Sequence, residues 1–406
     1  MMYETTPRRL RERMLSAETS LLLTACRAAL GQNCKGALCA TAAEVADWDV
    51  VLAAAQRHAV VPLLHRALNG PSAAVVPPHV AHELQQLFER NVLRNLALTG
   101  HLVALLDEFE CAGVPVLPIK GPLLAISAYG DVTMRAFLDL DIVVRVCDRG
   151  RALAVLHDAG YRVTLPIEGG AQTALLAADY HLQLVHDDHA VALELHWALG
   201  RGYGRGYLSG SWAWRNACTI PVLGRVLHSL SPQALLVYLC AHGAKHMWSQ
   251  LNWICDVAAL LHSGSPMSGE EILALARATG TWRMVRLGIV LASELLSAEL
   301  PSNLPQGWDD DLAVNKLAER AVGLLFEPGA SHDGNAVLSF QLAVRDGWRD
   351  RLGLWTHVLV SPRVADVTAI SLPPALHSLY HALRPLRLLS KHSRKWVGRT
   401  EAKWRR

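Results

Sequence analysis

Along the first hundred residues, apolar side chains recur at helical spacing. In "AEVADWDVVLAAAQRHAVVPLLHRALN" Val45, Trp48, Val51 and Leu52 share a face, and "PHVAHELQQLFERNVLRNLALTGHLVALLDEFECAG" keeps the 3.6-residue period until Gly113 stops it. The period then changes. "VPVLPI" (114–119) predicts a short apolar strand, and "PLLAISAY" (122–129) a helix with Pro122 in its first turn, where a missing N–H is tolerated. "LDLDIVVRV" (138–146) alternates as a strand. "DRGRALAVLHDAGY" predicts a helix capped by Asp148 and ended by Gly160. "YHLQLVHDDHAVALELHWAL" predicts a hairpin turning near Asp187 and Asp188. From about Ser231 helices return, in "PQALLVYLCAHGAKHMW", "LNWICDVAALLHSG", "EEILALARATG" and beyond. The fold class is therefore α+β: a small mixed-sheet core flanked by N-terminal and C-terminal helical regions. The divisions fall at 1–100 (helical), 101–225 (α/β core), 226–383 (helical) and 384–406 (basic tail).

Within this pattern two acids stand where a buried strand should be apolar. Residues i and i+2 of a strand share a face, so Asp139 and Asp141 point one way while Leu140, Ile142 and Val144 point the other. The same parity in "VALELHW" puts Glu194 and His196 on one face. If the two strands are neighbours, three carboxylates meet on one sheet surface, and such charges repel unless a cation sits among them. Hard divalent ions such as Mg²⁺ take oxygen ligands of this kind, and a pair of them clamps the attacking and leaving oxygens of a phosphoryl displacement. The other reading is an exposed strand with polar positions outward. Lys120 and Gly121 end the preceding strand where a helix begins, which suits an anionic phosphate, and Arg135 offers a planar donor fork to the same phosphates. Neutralising either Asp139 or Asp141 is then expected to abolish any such metal-assisted displacement while preserving or raising stability without metal.

Strand, glycine turn, helix, Asp-x-Asp and a third acid on a later strand resemble the layout of the DNA polymerase β-like nucleotidyltransferase superfamily. "LPIKGPLLAISAYGDVTMRAFLDLDIVV" with "LELHWAL" resembles, more narrowly, a nucleotidyltransferase family of bacterial polysaccharide and lasso-peptide gene clusters. The likeness extends to "WDVVLAAAQRHAVVPLLHRAL", "AHGAKHMWSQLNWICDVAALL" and "LPPALHSLYHALRPLRLL", nearly the whole chain. It implies Asp139 and Asp141 as metal ligands, Glu194 as the third carboxylate, and Lys120 and Gly121 at the nucleotide phosphates. The superfamily's usual Gly-Ser or Gly-Gly turn is replaced here by Lys120-Gly121-Pro122, as in toxin-type members. The implied activity is transfer of a nucleoside monophosphate from an NTP to an acceptor, with Mg²⁺ or Mn²⁺ as cofactor. The acceptor stays open among a peptide, a sugar, a small molecule, an RNA end and a protein. The competing class is a scaffold that binds a nucleotide or partner without catalysis.

Other residues carry two readings. His242 and His246 lie four apart, a spacing that suits zinc, helix packing or the lining of a nucleotide or acceptor pocket; Gly243 stands where a zinc protease motif needs glutamate. Asp256 divides between pairing with a histidine and lining the pocket. His196 either orients a ligand and moves a proton or is a neutral strand histidine. Trp197, Trp212, Trp214, Trp248 and Trp253 are expected to fill the seam between core and helices.

Whole-chain composition adds little to this picture. Hydrophobic residues make up 51% against 18% charged, which fits a folded protein, and 39 basic against 36 acidic residues favour no partner. The basic run from Arg384 to Arg406 faces only Glu401, and reads as a solvated end or a contact with an anionic surface. Arg8, Arg9, Arg11 and Arg13 precede an apolar stretch broken by Glu18 and Arg27, so no export signal is expected. No apolar run reaches a membrane span, and eight cysteines without a Cys-x-x-Cys pair are expected to be reduced thiols of a cytoplasmic protein.

Overall fold

The computed structural model describes residues 15–69, 75–164, 179–189, 191–200, 207–222, 224–308, 310–326, 334–370 and 372–388. The arginines at 8–13 and the tail beyond Leu388 lie outside the described residues. Four helices, α1 (Ala17–Ala29), α2 (Lys35–Ala43), α3 (Trp48–Arg57) and α4 (Val61–Leu68), lead to the 34-residue α5 (Pro78–Cys111). Asp47 caps α3 by accepting from the backbone N–H of Asp49 and Val50. Gly113, at φ +63°, follows the end of α5 as its sequence signal predicts.

The core then alternates: β1 (Val116–Pro118), α6 (Gly121–Tyr129), β2 (Asp139–Val144), α7 (Arg149–Asp158), β3 (Tyr161–Val163), β4 (His181–His186) and β5 (Ala192–His196). The strands form one sheet in the order β1-β2-β5-β4-β3. β2 and β5 run parallel and the other neighbouring pairs antiparallel, so the sheet is mixed. Strand alternation gives it two unlike faces. On one, Leu140, Ile142, Val144, Leu193 and Leu195 pack with Leu98, Leu102 and Phe109 of α5 and with Ala152 and Leu156 of α7. On the other, Val143 joins a second cluster shared with the helical parts, to which Val80 and Leu84 of α5 also belong. Residue 100 therefore lies inside one continuous helix that serves both cores.

After the sheet come α8 (Gly210–Arg215) and a two-stranded hairpin, β6 (Ala217–Val222) with β7 (Arg225–Leu230). The Ser229 hydroxyl donates to the Pro118 carbonyl at 2.6 Å and fastens this hairpin to β1. Then follow α9 (Pro232–Lys245), α10 (Leu251–His262), α11 (Gly269–Thr279), α12 (Trp282–Leu296), α13 (Leu312–Phe326), α14 (Gly334–Ala343), α15 (Trp348–Val360) and α16 (Val364–Ala369). Trp197, Trp212 and Trp248 are buried and Trp214 and Trp253 pack against the larger cluster, as expected of seam residues. Arg384 and Arg387, the first basic residues of the C-terminal run, both pair with Asp366. No helix among the described residues is long and apolar enough to cross a membrane, and none of the eight cysteines forms a disulfide.

Candidate active site

Parallel pairing sets Asp141 beside Glu194, Asp139 beside Ala192 and Val143 beside His196. Strand parity therefore places Asp139, Asp141, Glu194 and His196 on the sheet face opposite α5, as the sequence predicts. One donor atom each from Asp141, Glu194 and His196 lies within 4.8 Å of the others. Asp139 shares the face but stands outside this tight group, half-buried, and His196 is the third member beside Asp141 and Glu194.

Buried carboxylates need compensation, and here it comes from two side chains. Lys120 Nζ lies 3.0 Å from Asp141 Oδ1, with both groups buried. His196 Nε2 lies 3.1 Å from Asp141 Oδ1 and 3.2 Å from Glu194 Oε2, while its Nδ1 is buried with no hydrogen-bond partner. Gln183 donates to Glu194 Oε1 at 3.1 Å from β4. Burial raises the Asp141 pKa, but Lys120 and His196 outweigh it and leave it lowered. Glu194 is likewise lowered against burial, by His196 and Gln183. Asp139 moves the other way: burial and the neighbouring Asp141 charge raise it, with Lys120 only partly offsetting. Burial pushes the Lys120 and His196 pKa values down, yet the facing carboxylates leave both raised.

The turn before α6 explains how Lys120 arrives there. The Ile119 N–H donates to the Asp141 carbonyl at 3.2 Å, which extends the β1–β2 pairing to the edge of the turn. Gly121 then takes φ +54°, a left-handed conformation that favours glycine, and a Cβ there would sit 3.5 Å from the Asp139 carbonyl. No side chain caps the start of α6.

Arg135 was expected at the phosphates; the structure commits it to Asp256. Its Nε and Nη2 donate to the two carboxylate oxygens at 2.7 and 2.9 Å, both residues being buried, and the Tyr129 hydroxyl donates to Asp256 Oδ1 at 2.8 Å. Asp256, on α10, is thus a partner of arginine and tyrosine and not of a histidine. The segment leading to Asp139 is held from α5 as well. Asn95 donates to the carbonyls of Val132 and Arg135 at 2.7 Å, Asn91 to that of Thr133 at 3.0 Å, and Arg94 to that of Phe137 at 3.1 Å. Sequence reasoning passed over these three. Their signal is Asn91 and Asn95 in register with Leu98 and Leu102 on the buried stripe of a helix, where an amide needs a partner.

A cavity of about 930 Å³ adjoins the acids and is lined, among others, by Tyr180, Glu194, His196, Tyr238, His242 and Lys245. His242 thus faces this cavity. His246 packs beside Trp253 at 5.1 Å, and burial with the Lys245 charge pushes it down to about 4. The model of a family described as uncharacterised nucleotidyltransferases matches residues 44–297, which include every candidate residue above. The chain belongs to this nucleotidyltransferase family.

Two solved structures of the antibiotic-resistance factor ANT(2″)-Ia are similar to this nucleotidyltransferase at 16% identity. The crystal structure with adenylyl-2″-tobramycin covers 44% of this chain and 95% of its own with a TM-score of 0.30; the solution structure covers 44% and 91% with 0.31. No curated protein matches the chain. The oxygen donors suit a hard divalent ion: the ionised carboxylates of Asp141 and Glu194 converge, and that of Asp139 stands beside them on the same face.

Proposed function

We propose that this nucleotidyltransferase moves a nucleoside monophosphate from an NTP to an acceptor hydroxyl and releases pyrophosphate, with Mg²⁺ or Mn²⁺ held by Asp139, Asp141 and Glu194. The carrying observation is the pairing of Asp141 with Glu194 on adjacent parallel strands, with Lys120 at 3.0 Å. When bound, the ion offsets the charge of the triphosphate and of the transition state. The chain's own groups do the rest. Lys120 and the start of α6 at Gly121 face the phosphates with a positive charge and a helix N-terminus that no side chain caps. Arg135, tied to Asp256, positions the segment that delivers Asp139 and adds positive charge behind it.

In this reading the acceptor oxygen bonds to the α-phosphorus as the bond to the β-phosphate oxygen breaks. The hydroxyl proton passes to Glu194, and His196, 3.2 Å away, holds the carboxylate in place for it. The resemblance to biosynthetic gene-cluster proteins suggests a natural product or polysaccharide precursor as acceptor, and eight cysteines without a disulfide suit the cytoplasm.

Incubation with Mg²⁺, acceptor mixtures and ATP labelled at either the α- or the γ-phosphate tests this. The expected result is α-label in the product, one pyrophosphate per transfer, and a loss of about 10³-fold or more in Glu194→Gln. Product carrying γ-label contradicts it. Tight Mg²⁺–NTP binding with no transfer to any acceptor supports the non-catalytic scaffold instead.

A further inference from the structure

The cavity beside the acids is lined by groups of both signs. The β4–β5 region contributes Asp179 and Glu194; α9 and the stretch from α14 to α16 contribute Lys245, Arg345, His357 and Arg363 and no carboxylate among the described residues. Lys245 donates to the Tyr180 hydroxyl at 2.7 Å and lies 5.4 Å from that ring, which is itself 6.3 Å from the His196 ring. The buried Arg345 guanidinium lies 4.7 Å from the centre of the Tyr207 ring. Tyr180 and Tyr207 hold the two cations in place, and Lys245 stands one aromatic ring away from His196. Val337, Leu338, Leu354 and Val358 add apolar surface to the lining.

The position of the cavity separates it from the phosphate turn. It is walled by Glu194 and His196, and Lys120, Gly121 and Asp139 do not line it. An NTP with its phosphates at that turn leaves this space to the second substrate, and its volume lies near the upper end for a small-molecule site. We propose that this cavity is the acceptor subsite and that it takes a hydroxyl compound bearing an anionic group, a phosphate or carboxylate, whose charge meets Lys245 and Arg345 while its hydroxyl reaches Glu194. The assignment to the acceptor rests on the transferase reading above.

Pyridoxal 5′-phosphate and pyridoxal provide the probe pair, since they differ only in the phosphate. The aldehyde condenses with a lysine amine, losing water, and added borohydride reduces the imine to a stable amine that peptide mass spectrometry locates. Relative to Lys316, exposed on α13, Lys245 is expected to label about tenfold faster with the phosphate form. That preference should fall several-fold in Arg345→Gln and return in Arg345→Lys. Melting curves report whether these variants fold, and the exposed Arg363→Gln gives the same reading should Arg345→Gln fail to. Equal labelling by both aldehydes, or a preference untouched by removing these charges, overturns the anion subsite. Loss of Lys245 labelling with Mg²⁺–ATP at its calorimetric Kd assigns the cations to the nucleotide and overturns the acceptor assignment. Calorimetry showing no Mg²⁺–ATP binding defeats the transferase reading alone, because the labelling comparison needs no nucleotide.

Discussion

Asp139 and Asp141 lie two residues apart on one strand, yet their charges are held in opposite ways. Asp141 is buried between Lys120 and His196, whereas Asp139 is half-buried and disfavoured by Asp141. In metal-free buffer Asp139→Asn is therefore expected to hold or raise the melting temperature, because it removes a repelled charge. Asp141→Asn should do the reverse and cost about 3–5 kcal/mol, since it leaves the Lys120 ammonium buried without its partner. Thermal melts in EDTA separate the two; equal behaviour contradicts this assignment of charges. The Lys120 contact revises, for Asp141, the expectation from sequence that either substitution preserves or raises stability without metal. Strand parity made the acids and their shared face legible. It could not reveal the neutralising lysine, because that contact depends on β1 pairing with β2, a feature of strand order. The Arg135–Asp256 pair was hidden for the same reason, its partners being 121 residues apart.

Among the elements, α9 shows how one glycine shapes the wall opposite the sheet. A Cβ on Gly243 would lie 2.5 Å from the Trp248 ring, which is fully buried and follows Met247 in a left-handed turn at φ 56° and 55°. Gly243→Ala is expected to lose about 1–3 kcal/mol in denaturant unfolding because a fixed indole cannot withdraw; an unchanged midpoint contradicts that packing. The residue whose presence argued against a zinc motif is thus accounted for by a ring five positions on. Helical and strand periods made most elements legible, including the turn near Asp187 and the helix opened by Pro122. The hairpin of β6 and β7 was not, because Pro221 inside β6 demotes an otherwise strand-like run. The proline is accommodated because β6 pairs on one side only, in a two-stranded sheet.

Across the whole molecule, stability should fall on mild acidification. His58 is buried between the N-terminal helices and α10, accepting from the Leu251 N–H through Nδ1, and burial with the Arg57 charge pushes it down to about 4. His246 stands at about the same value. Both are neutral when folded and take up protons on unfolding, so stability is complete above the ordinary histidine pKa of 6.5 and is lost as pH falls toward 4. Each contributes a loss of about 2 kcal/mol between pH 7 and 5. Chemical denaturation at stepped pH checks this, and His58→Asn should flatten the slope. His196, with its raised pKa, acts in the opposite sense, its contribution being full below the ordinary value and lost at higher pH. All of this frames one claim, that the acids on β2 and β5 form a divalent-metal site for an NTP. The most direct test is a Mn²⁺ titration read by electron paramagnetic resonance, with and without a non-hydrolysable NTP analogue. Wild-type protein is expected to bind Mn²⁺ more tightly with the analogue present, and Glu194→Gln and Asp139→Asn, verified as folded, to lose that gain. Mn²⁺ affinity that neither the analogue nor either substitution alters contradicts the claim.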